Sequence, residues 1–257
     1  MTEGILSPGT TKRVGAMQVH VFSEVEALAE AAGQRIVAAV QRIPNVVIGL
    51  ATGSSPVATY RAWGRQAAEL GLDQSAVRGF ALDEYVGIEP SDPRSYHSVI
   101  RRDAIANAGL RPELVRVPDG NSDSGESERY ERRIREAGGI DVQVLGLGRN
   151  GHLGFNEPGS ADNSRTRVVE LAGSTVADNS RFFATPAEVP THAITQGLGT
   201  IFEARELLVI AVGEAKAEAV RGALYGPDTE QLPASLLRRH PNVHWFLDES
   251  AASKLSL

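Results

Sequence analysis

Apolar and polar positions along the chain follow two alternating patterns. Short runs rich in β-branched and other apolar residues predict buried strands at residues 17–22, 45–51, 77–85, 141–148, 206–213 and 242–248. Longer segments with apolar residues every three or four positions predict helices at residues 23–43, 55–70, 95–109, 125–139 and 214–226. Strands that alternate with helices of this length predict an α/β fold, a doubly wound and mostly parallel sheet with helices on both faces.

Two regions depart from this alternation. Residues 1–16 precede the first predicted strand and lack the continuous apolar run of a secretory signal, so we expect a flexible leader. Residues 158–200 are polar and weakly periodic, which predicts a lid-like excursion from the sheet. No repeat or Pro/Gly-rich linker divides the rest, so residues 17–257 are predicted to form a single α/β domain.

Composition narrows the classes of partner. The 257 residues include 26 Lys and Arg against 32 Asp and Glu, a formal net charge of −6. This balance disfavours nucleic acid or an anionic membrane surface as the main partner, because both require a basic field. Cysteine is absent, which excludes thiolate metal sites and disulfides and predicts a cytoplasmic location. No apolar run approaches the roughly 20 residues of a membrane span.

The loop LATGSSP, residues 50–56, joins a predicted strand to a predicted helix. Ligands of parallel sheets bind outside the carboxyl ends of the strands, and backbone N–H groups at a helix N-terminus bind anions. Thr52, Gly53, Ser54 and Ser55 are therefore candidates for holding a phosphate. The spacing matches neither GxGxxG nor a Walker A loop, so a nucleotide is not indicated. Taken alone, the loop could equally be an ordinary turn with a serine cap.

A pair of carboxylates ends the strand in ALDEYVG. Adjacent strand residues point to opposite faces, so we expect only one of Asp83 and Glu84 to enter a pocket. A partly desolvated carboxylate at that position can act as a general base. The alternative is a solvated turn acid or a helix-capping acid.

The glycine-rich motif GHLGFNEPG carries one histidine and one glutamate. The imidazole of His152 can take a hydroxyl proton near neutral pH, and Glu157 can orient it and stabilise its charged form. A structural histidine in a turn is the alternative. The motif contains neither HExxH nor paired histidines, so no metal is expected.

Two cations complete the set of candidates. Arg181 lies in NSRFF, and Lys216 lies in GEAKAEA after the fifth predicted strand. An arginine fork and a lysine point charge are natural partners of phosphate. Taken alone, each side chain could be an ordinary solvated surface charge. In an acidic protein whose other strand ends already carry candidate site residues, anion binding is favoured for both.

Together these motifs resemble glucosamine-6-phosphate deaminases. The segments ATGSSP, LDEYVG, GHLGFNEPGS, SRTR, NSRFF, VPTHAITQGLGTI, GEAKAEA and PASLLRRHPN occur in the order and approximate spacing of that family, from about Met17 to the C-terminus. The related 6-phosphogluconolactonases share the glycine-rich phosphate loop and a Gly-His pair but lack the FNEP continuation.

The resemblance implies cofactor-free conversion of glucosamine 6-phosphate and water to fructose 6-phosphate and ammonia. By motif, Asp83 would move the proton between C2 and C1, and His152, assisted by Glu157, would open the sugar ring. The loop Thr52–Ser55 with Arg181 and Lys216 would hold the phosphate. The family includes different assemblies, so a homo-oligomer is one expected state.

Three other functions remain open at this point. They are a 6-phosphogluconolactonase-like hydrolase, a deaminase of another amino sugar phosphate, and a non-catalytic sugar-phosphate sensor. A lactonase gives no special role to Asp83, whereas a sensor could discard Asp83, His152 and Glu157. The presence of all three side chains disfavours the sensor.

This sequence differs from the family pattern in two respects, and each difference leads to an expectation. Asn150 stands where the best-known members have Asp, so we expect His152 to rely more on Glu157 and Asn150 to fix the imidazole by hydrogen bonding. Members activated by N-acetylglucosamine 6-phosphate have Lys and Thr where this chain has Val169 and Glu170, although Arg167 remains. They also carry a further C-terminal segment that ends in aromatic residues, whereas this chain stops at SKLSL. We therefore expect weak or absent activation by that compound.

Overall fold

A computed structural model describes residues 9–185 and 188–256. The strands are β1 Thr10–Val14, β2 Met17–Phe22, β3 Val47–Leu50, β4 Arg78–Ala81, β5 Asp83–Tyr85, β6 Val115–Arg116, β7 Val142–Gly146, β8 Arg167–Glu170, β9 His192–Thr195, β10 Glu206–Ala211 and β11 Val243–Asp248. The α-helices are α1 Val25–Arg42, α2 Ser54–Glu69, α3 Tyr96–Ile100, α4 Ala106–Ala108, α5 Glu126–Glu136, α6 Gly173–Asn179, α7 Leu198–Phe202 and α8 Ala217–Tyr225. Single turns of 3₁₀-helix include Ser180–Phe182 and Glu214–Lys216.

The main sheet has eight strands in the order β1-β2-β11-β10-β7-β3-β4-β6. All neighbouring pairs from β2 to β6 are parallel, and only β1 pairs antiparallel. Every residue of β3 and β10 is buried, so both faces of the sheet are covered there. The prediction of a doubly wound, mostly parallel α/β sheet is confirmed. No helix among the described residues has the length and apolar character needed to cross a membrane.

The expected flexible leader is wrong for Thr10–Val14, which form strand β1. The register runs from Thr10 opposite Val21 to Val14 opposite Met17, and Gly15, at φ +60°, makes the turn. This edge strand is mostly exposed, so its sequence carries no apolar alternation from which a strand could be predicted. Residues 1–8 lie outside the described residues.

A second, antiparallel sheet has the order β5-β9-β8. The run at residues 77–85, predicted as one strand, is divided at Leu82 between β4 of the main sheet and β5 of the second sheet. The weakly periodic region 158–200 supplies β8, α6 and β9. A separate apolar cluster of Tyr85, Ile88, Phe155, Leu171 and Ala193 lies in this part of the molecule. Its small size explains the weak periodicity, because few positions of β8 and β9 need apolar side chains.

Candidate active site

A cavity of about 940 Å³ opens at the carboxyl ends of the parallel strands. Four chain segments that follow β3, β4, β7 and β10 contribute to its wall. Among the predicted site residues, those that line it are Thr52, Gly53, Ser54, Ser55, Asp83, His152, Arg181 and Lys216. Residues from distant parts of the sequence therefore meet because parallel strands end at one edge of the sheet.

The loop after β3 presents the start of a long helix to this cavity. Gly53 has a φ of 97°, a conformation that favours glycine, and α2 begins at Ser54 and continues for 16 residues. The hydroxyl of Tyr60 donates to the Ala51 carbonyl and accepts from the Ala51 N–H, both at 2.9 Å, which anchors the end of β3. With Arg181 and Lys216 on the same cavity, this helix N-terminus suits an anionic group.

Asp83 and Glu84 point to different environments, as the strand alternation predicts. Asp83 is only 5% exposed and lines the cavity. Glu84 is 1% exposed and accepts hydrogen bonds from the Ser95 hydroxyl at 2.6 Å and from backbone N–H groups at the start of α3. Glu84 therefore holds α3 in place, and Asp83 is the carboxylate that faces a bound ligand.

Burial raises the pKa of Asp83 to about 8, and the nearby charge of Glu84 adds to the increase. The carboxyl is therefore largely protonated at neutral pH in the ligand-free protein. A carboxylate with a pKa this close to neutrality is suited to accept and return a proton.

His152 is fixed by a tight glycine turn. Gly148 donates its N–H to the His152 carbonyl at 3.0 Å, and Gly151, at φ +80°, donates to the Gly148 carbonyl. A Cβ atom at residue 148 would lie 2.4 Å from three ring atoms of His152. Glycine is required at 148 because the imidazole packs directly against its Cα.

Glu157 lies behind His152, with its Oε2 atom 3.5 Å from His152 Nδ1. The Thr175 hydroxyl donates to Oε1, and the Asn150 amide donates to Oε2 at 2.8 Å. Burial alone would raise the pKa of Glu157, but the contacts with His152, Thr175 and Asn150 outweigh it and lower the pKa to about 2. Glu157 is therefore a carboxylate at neutral pH and can stabilise a positive charge on the imidazole.

Asn150 differs from its expected role of fixing the imidazole ring. Its carbonyl oxygen accepts the backbone N–H of His152 at 3.2 Å, while its amide donates to Glu157. Asn150 thus orients the loop and the Glu157 carboxylate, and it acts on the imidazole ring only through these two contacts. A carboxylate at residue 150 could not donate to Glu157, which is a physical reason for an amide in this arrangement.

Residues 23–245 match the sequence profile of the family described as glucosamine-6-phosphate isomerases/6-phosphogluconolactonase. The chain belongs to this family. The glucosamine-6-phosphate deaminase of Cutibacterium acnes is 46% identical over 243 residues, which cover 94% of this chain and 93% of the relative. That of Rhodococcus opacus is 52% identical over 220 residues, 85% of each chain.

Solved structures of the glucosamine-6-phosphate isomerase/6-phosphogluconolactonase family share the architecture. A monomeric glucosamine-6-phosphate deaminase superposes with a TM-score of 0.89 at 38% identity, over 92% of this chain and 99% of that chain. The 6-phosphogluconolactonase of Trypanosoma brucei superposes with a TM-score of 0.73 at 23% identity, over 96% of this chain and 100% of that chain. The second comparison concerns the fold alone.

Sequence reasoning missed several parts of this family member's site. Tyr85, Tyr96, Phe155 and Phe183 form an aromatic wall of the cavity, with ring centroids 4.9–6.0 Å apart. Phe155 lies inside the GHLGFNEPG motif and was available as a signal. No sequence signal pointed to Thr175, because only the packing of residues 158–200 brings this side chain to Glu157. Within the described residues, no group of three or more His, Asp or Glu side chains could hold a metal ion.

Proposed function

We propose that this chain converts glucosamine 6-phosphate and water to fructose 6-phosphate and ammonia. The observation that carries the proposal is a buried carboxyl, Asp83, on the same cavity as His152 and the N-terminus of α2, with Glu157 behind the imidazole. An aldose-to-ketose shift requires a base beside the carbon chain, and a lactonase gives that base no task. The curated relatives named glucosamine-6-phosphate deaminase support the same reaction.

The first step opens the pyranose ring. His152 takes the proton of the C1 hydroxyl and returns a proton to the ring oxygen, while the ionised Glu157 stabilises the intervening imidazolium. In the second step the Asp83 carboxylate removes the C2 proton and delivers it to C1. The C1 oxygen gains a proton and the C2 amino group loses one, so that C1 carries a hydroxyl and an imine forms at C2. Water then adds to this imine carbon, and ammonia leaves, which gives the C2 ketone.

The phosphate lies away from the reacting carbons in this arrangement. The amides of Thr52–Ser55, together with Arg181 and Lys216, would bind it at the N-terminus of α2. Binding energy from this remote group can then hold C1 and C2 near Asp83 and His152. The residues proposed for the phosphate and those proposed for the reacting carbons line the same cavity, which supports this arrangement.

The decisive experiment incubates the purified protein with glucosamine 6-phosphate and measures ammonia and fructose 6-phosphate separately. We expect equal amounts of both products without an added cofactor. Parallel assays use 6-phosphogluconolactone and galactosamine 6-phosphate. Hydrolysis of the lactone without ammonia release from either amino sugar would contradict the proposal, and binding without turnover would indicate a sensor.

Asn150→Ala should lower the rate of ammonia formation about tenfold, the size expected when a hydrogen bond to a charged group is lost. The substitution removes the donor to Glu157 and the acceptor of the His152 N–H. Steady-state kinetics should show the effect in kcat, with KM nearly unchanged. An unaltered kcat would mean that Asn150 does not position the pair.

We further expect hyperbolic kinetics, with weak or absent activation by N-acetylglucosamine 6-phosphate. Arg167, the remaining cation of the effector pattern, donates to Asn156 at 2.9 Å, and Val169 and Glu170 follow it on β8. Rate curves are measured with and without the compound. A sigmoidal curve that becomes hyperbolic on its addition would contradict this expectation.

Hydrolytic deamination in N-acetylglucosamine catabolism is the metabolic role that we propose for the enzyme. The cytoplasmic location, the independence from cofactors and the homo-oligomer stay predictions from the sequence.

A further inference from the structure

Helix α6 contacts two parts of the site from one face. Thr175 and Asn179 are one helical turn apart, so their side chains project in the same direction. The Thr175 hydroxyl donates to Glu157, and Asn179 Nδ2 donates to the Tyr85 hydroxyl at 2.9 Å. The helix therefore touches both the carboxylate behind His152 and the strand that carries Asp83.

The Glu157 carboxylate is held through both of its oxygens. Oε2 accepts from Asn150 and faces His152, and Oε1 accepts from Thr175. The last torsion of a glutamate side chain is broad, so a carboxylate bound through one oxygen retains rotational freedom. The second hydrogen bond fixes the carboxylate plane and thereby the direction in which Oε2 points.

We propose that Thr175 is a positioning residue for ring opening and acts through Glu157 to hold the carboxylate against His152. The inference rests on the proposed function and deepens it. Thr175 is 5% exposed, which protects its hydrogen bond from competition with water. It belongs to the same segment as Arg181, so one stretch of chain supplies both a phosphate ligand and an orienting contact for the acid–base pair.

The structure allows the hydroxyl to be removed without releasing α6. Val176 packs against the apolar cluster of Tyr85, Ile88, Phe155, Leu171 and Ala193, and Asn179 keeps its bond to Tyr85. Thr175→Val preserves the branched shape and removes only the donor. Thr175→Ser retains the donor and loses a methyl group.

Neither Thr175→Val nor Thr175→Ser changes a charge near His152. Glu157 contacts the imidazole from behind. The charged side chains that line the cavity together with His152 are Asp83, Arg94, Arg102, Asp103, Arg149, Arg181 and Lys216. The substitutions leave each of these groups in place. A shift in the titration of His152 would therefore report the orientation of Glu157.

The experiment compares wild type, Thr175→Val and Thr175→Ser, with Thr185→Val as a control on an exposed threonine of the same region. We expect Thr175→Val to lower kcat for ammonia formation about tenfold, as for a lost hydrogen bond to a charged group. KM and inhibition by inorganic phosphate should stay within about twofold, because the phosphate contacts remain. The midpoint of the His152 imidazole titration, followed by NMR, should move to lower pH. Thr175→Ser should recover at least half of kcat, and Thr185→Val should match wild type.

Several outcomes would overturn the inference. An unchanged kcat and an unchanged His152 titration in Thr175→Val would show that the hydroxyl orients nothing. A raised KM together with weaker phosphate inhibition would assign Thr175 a merely structural role in placing Arg181. Absence of ammonia formation by the wild type would contradict the proposed function instead, and the NMR titration would still test the Thr175–Glu157–His152 contact.

Discussion

Asp83→Asn should lower ammonia formation from glucosamine 6-phosphate at least about 1000-fold, within the range that general acid–base catalysis contributes. The amide keeps the shape of the side chain but cannot accept the C2 proton. Wild-type kcat/KM should rise with pH up to about 8, because the free enzyme must ionise Asp83 and its pKa lies there. Ammonia release at pH 6 to 9 measures both effects.

The same substitution should stabilise the fold at alkaline pH. The pKa of Asp83 is raised to about 8 from an ordinary 3.8, so the folded protein retains a proton that the unfolded chain has released between these values. Stability from this group is therefore present below pH 3.8 and is lost as the pH rises to about 8. The asparagine of Asp83→Asn stays neutral at every pH, so this loss of stability does not occur in the variant. We expect a melting temperature at pH 8 that is higher by on the order of 10 °C, and nearly equal values at pH 4.

Asp162→Asn is the matched control for Asp83→Asn. Asp162 forms an exposed ion pair with Arg239, and pairs of this kind contribute little to stability. The kcat of Asp162→Asn should match that of the wild type. Substantial ammonia formation by Asp83→Asn would contradict the assigned base. Binding of fructose 6-phosphate to the inactive variant shows that its loss of activity does not come from a lost site. A lower melting temperature at pH 8 would contradict the buried-carboxyl argument.

Glu157→Gln should lower kcat roughly 100-fold, since a neutral amide cannot stabilise the imidazolium that forms during ring opening. Wild-type Glu157, with a pKa of about 2, stays ionised throughout the working range, so its own protonation does not shape the pH profile. KM should change little because Glu157 does not line the phosphate region. Steady-state kinetics at pH 7.5 and NMR titration of His152 provide the measurement.

Glu128→Gln changes an exposed carboxylate of α5 and serves as the control for Glu157→Gln. It should leave kcat and the His152 titration unaltered. If Glu157→Gln retained the wild-type kcat, ring opening would not depend on this carboxylate. If it raised KM alone, Glu157 would act in substrate binding.

The alternation of strands and helices along the chain was readable from the sequence, because buried parallel strands need continuous apolar runs. The same runs located the strand ends near which Asp83, His152 and Lys216 lie. Strand β1 escaped prediction since an exposed edge strand is stabilised by backbone pairing with β2 and needs no apolar alternation. The break at Leu82 escaped it because both β4 and β5 are buried, and apolar character does not reveal a change of sheet.

The sequence by itself determined the chemical groups of this protein: one carboxylate base candidate, one imidazole with its glutamate, and a phosphate-type loop. Each follows a strand, and local pattern is sufficient to place it at the edge of the sheet. Only the tertiary structure decided how these groups are held. Thr175 reaches Glu157 across 18 residues of chain, and Asn150 contacts that carboxylate and leaves the ring untouched. Such contacts depend on the packing of the second sheet and α6, which no local periodicity encodes.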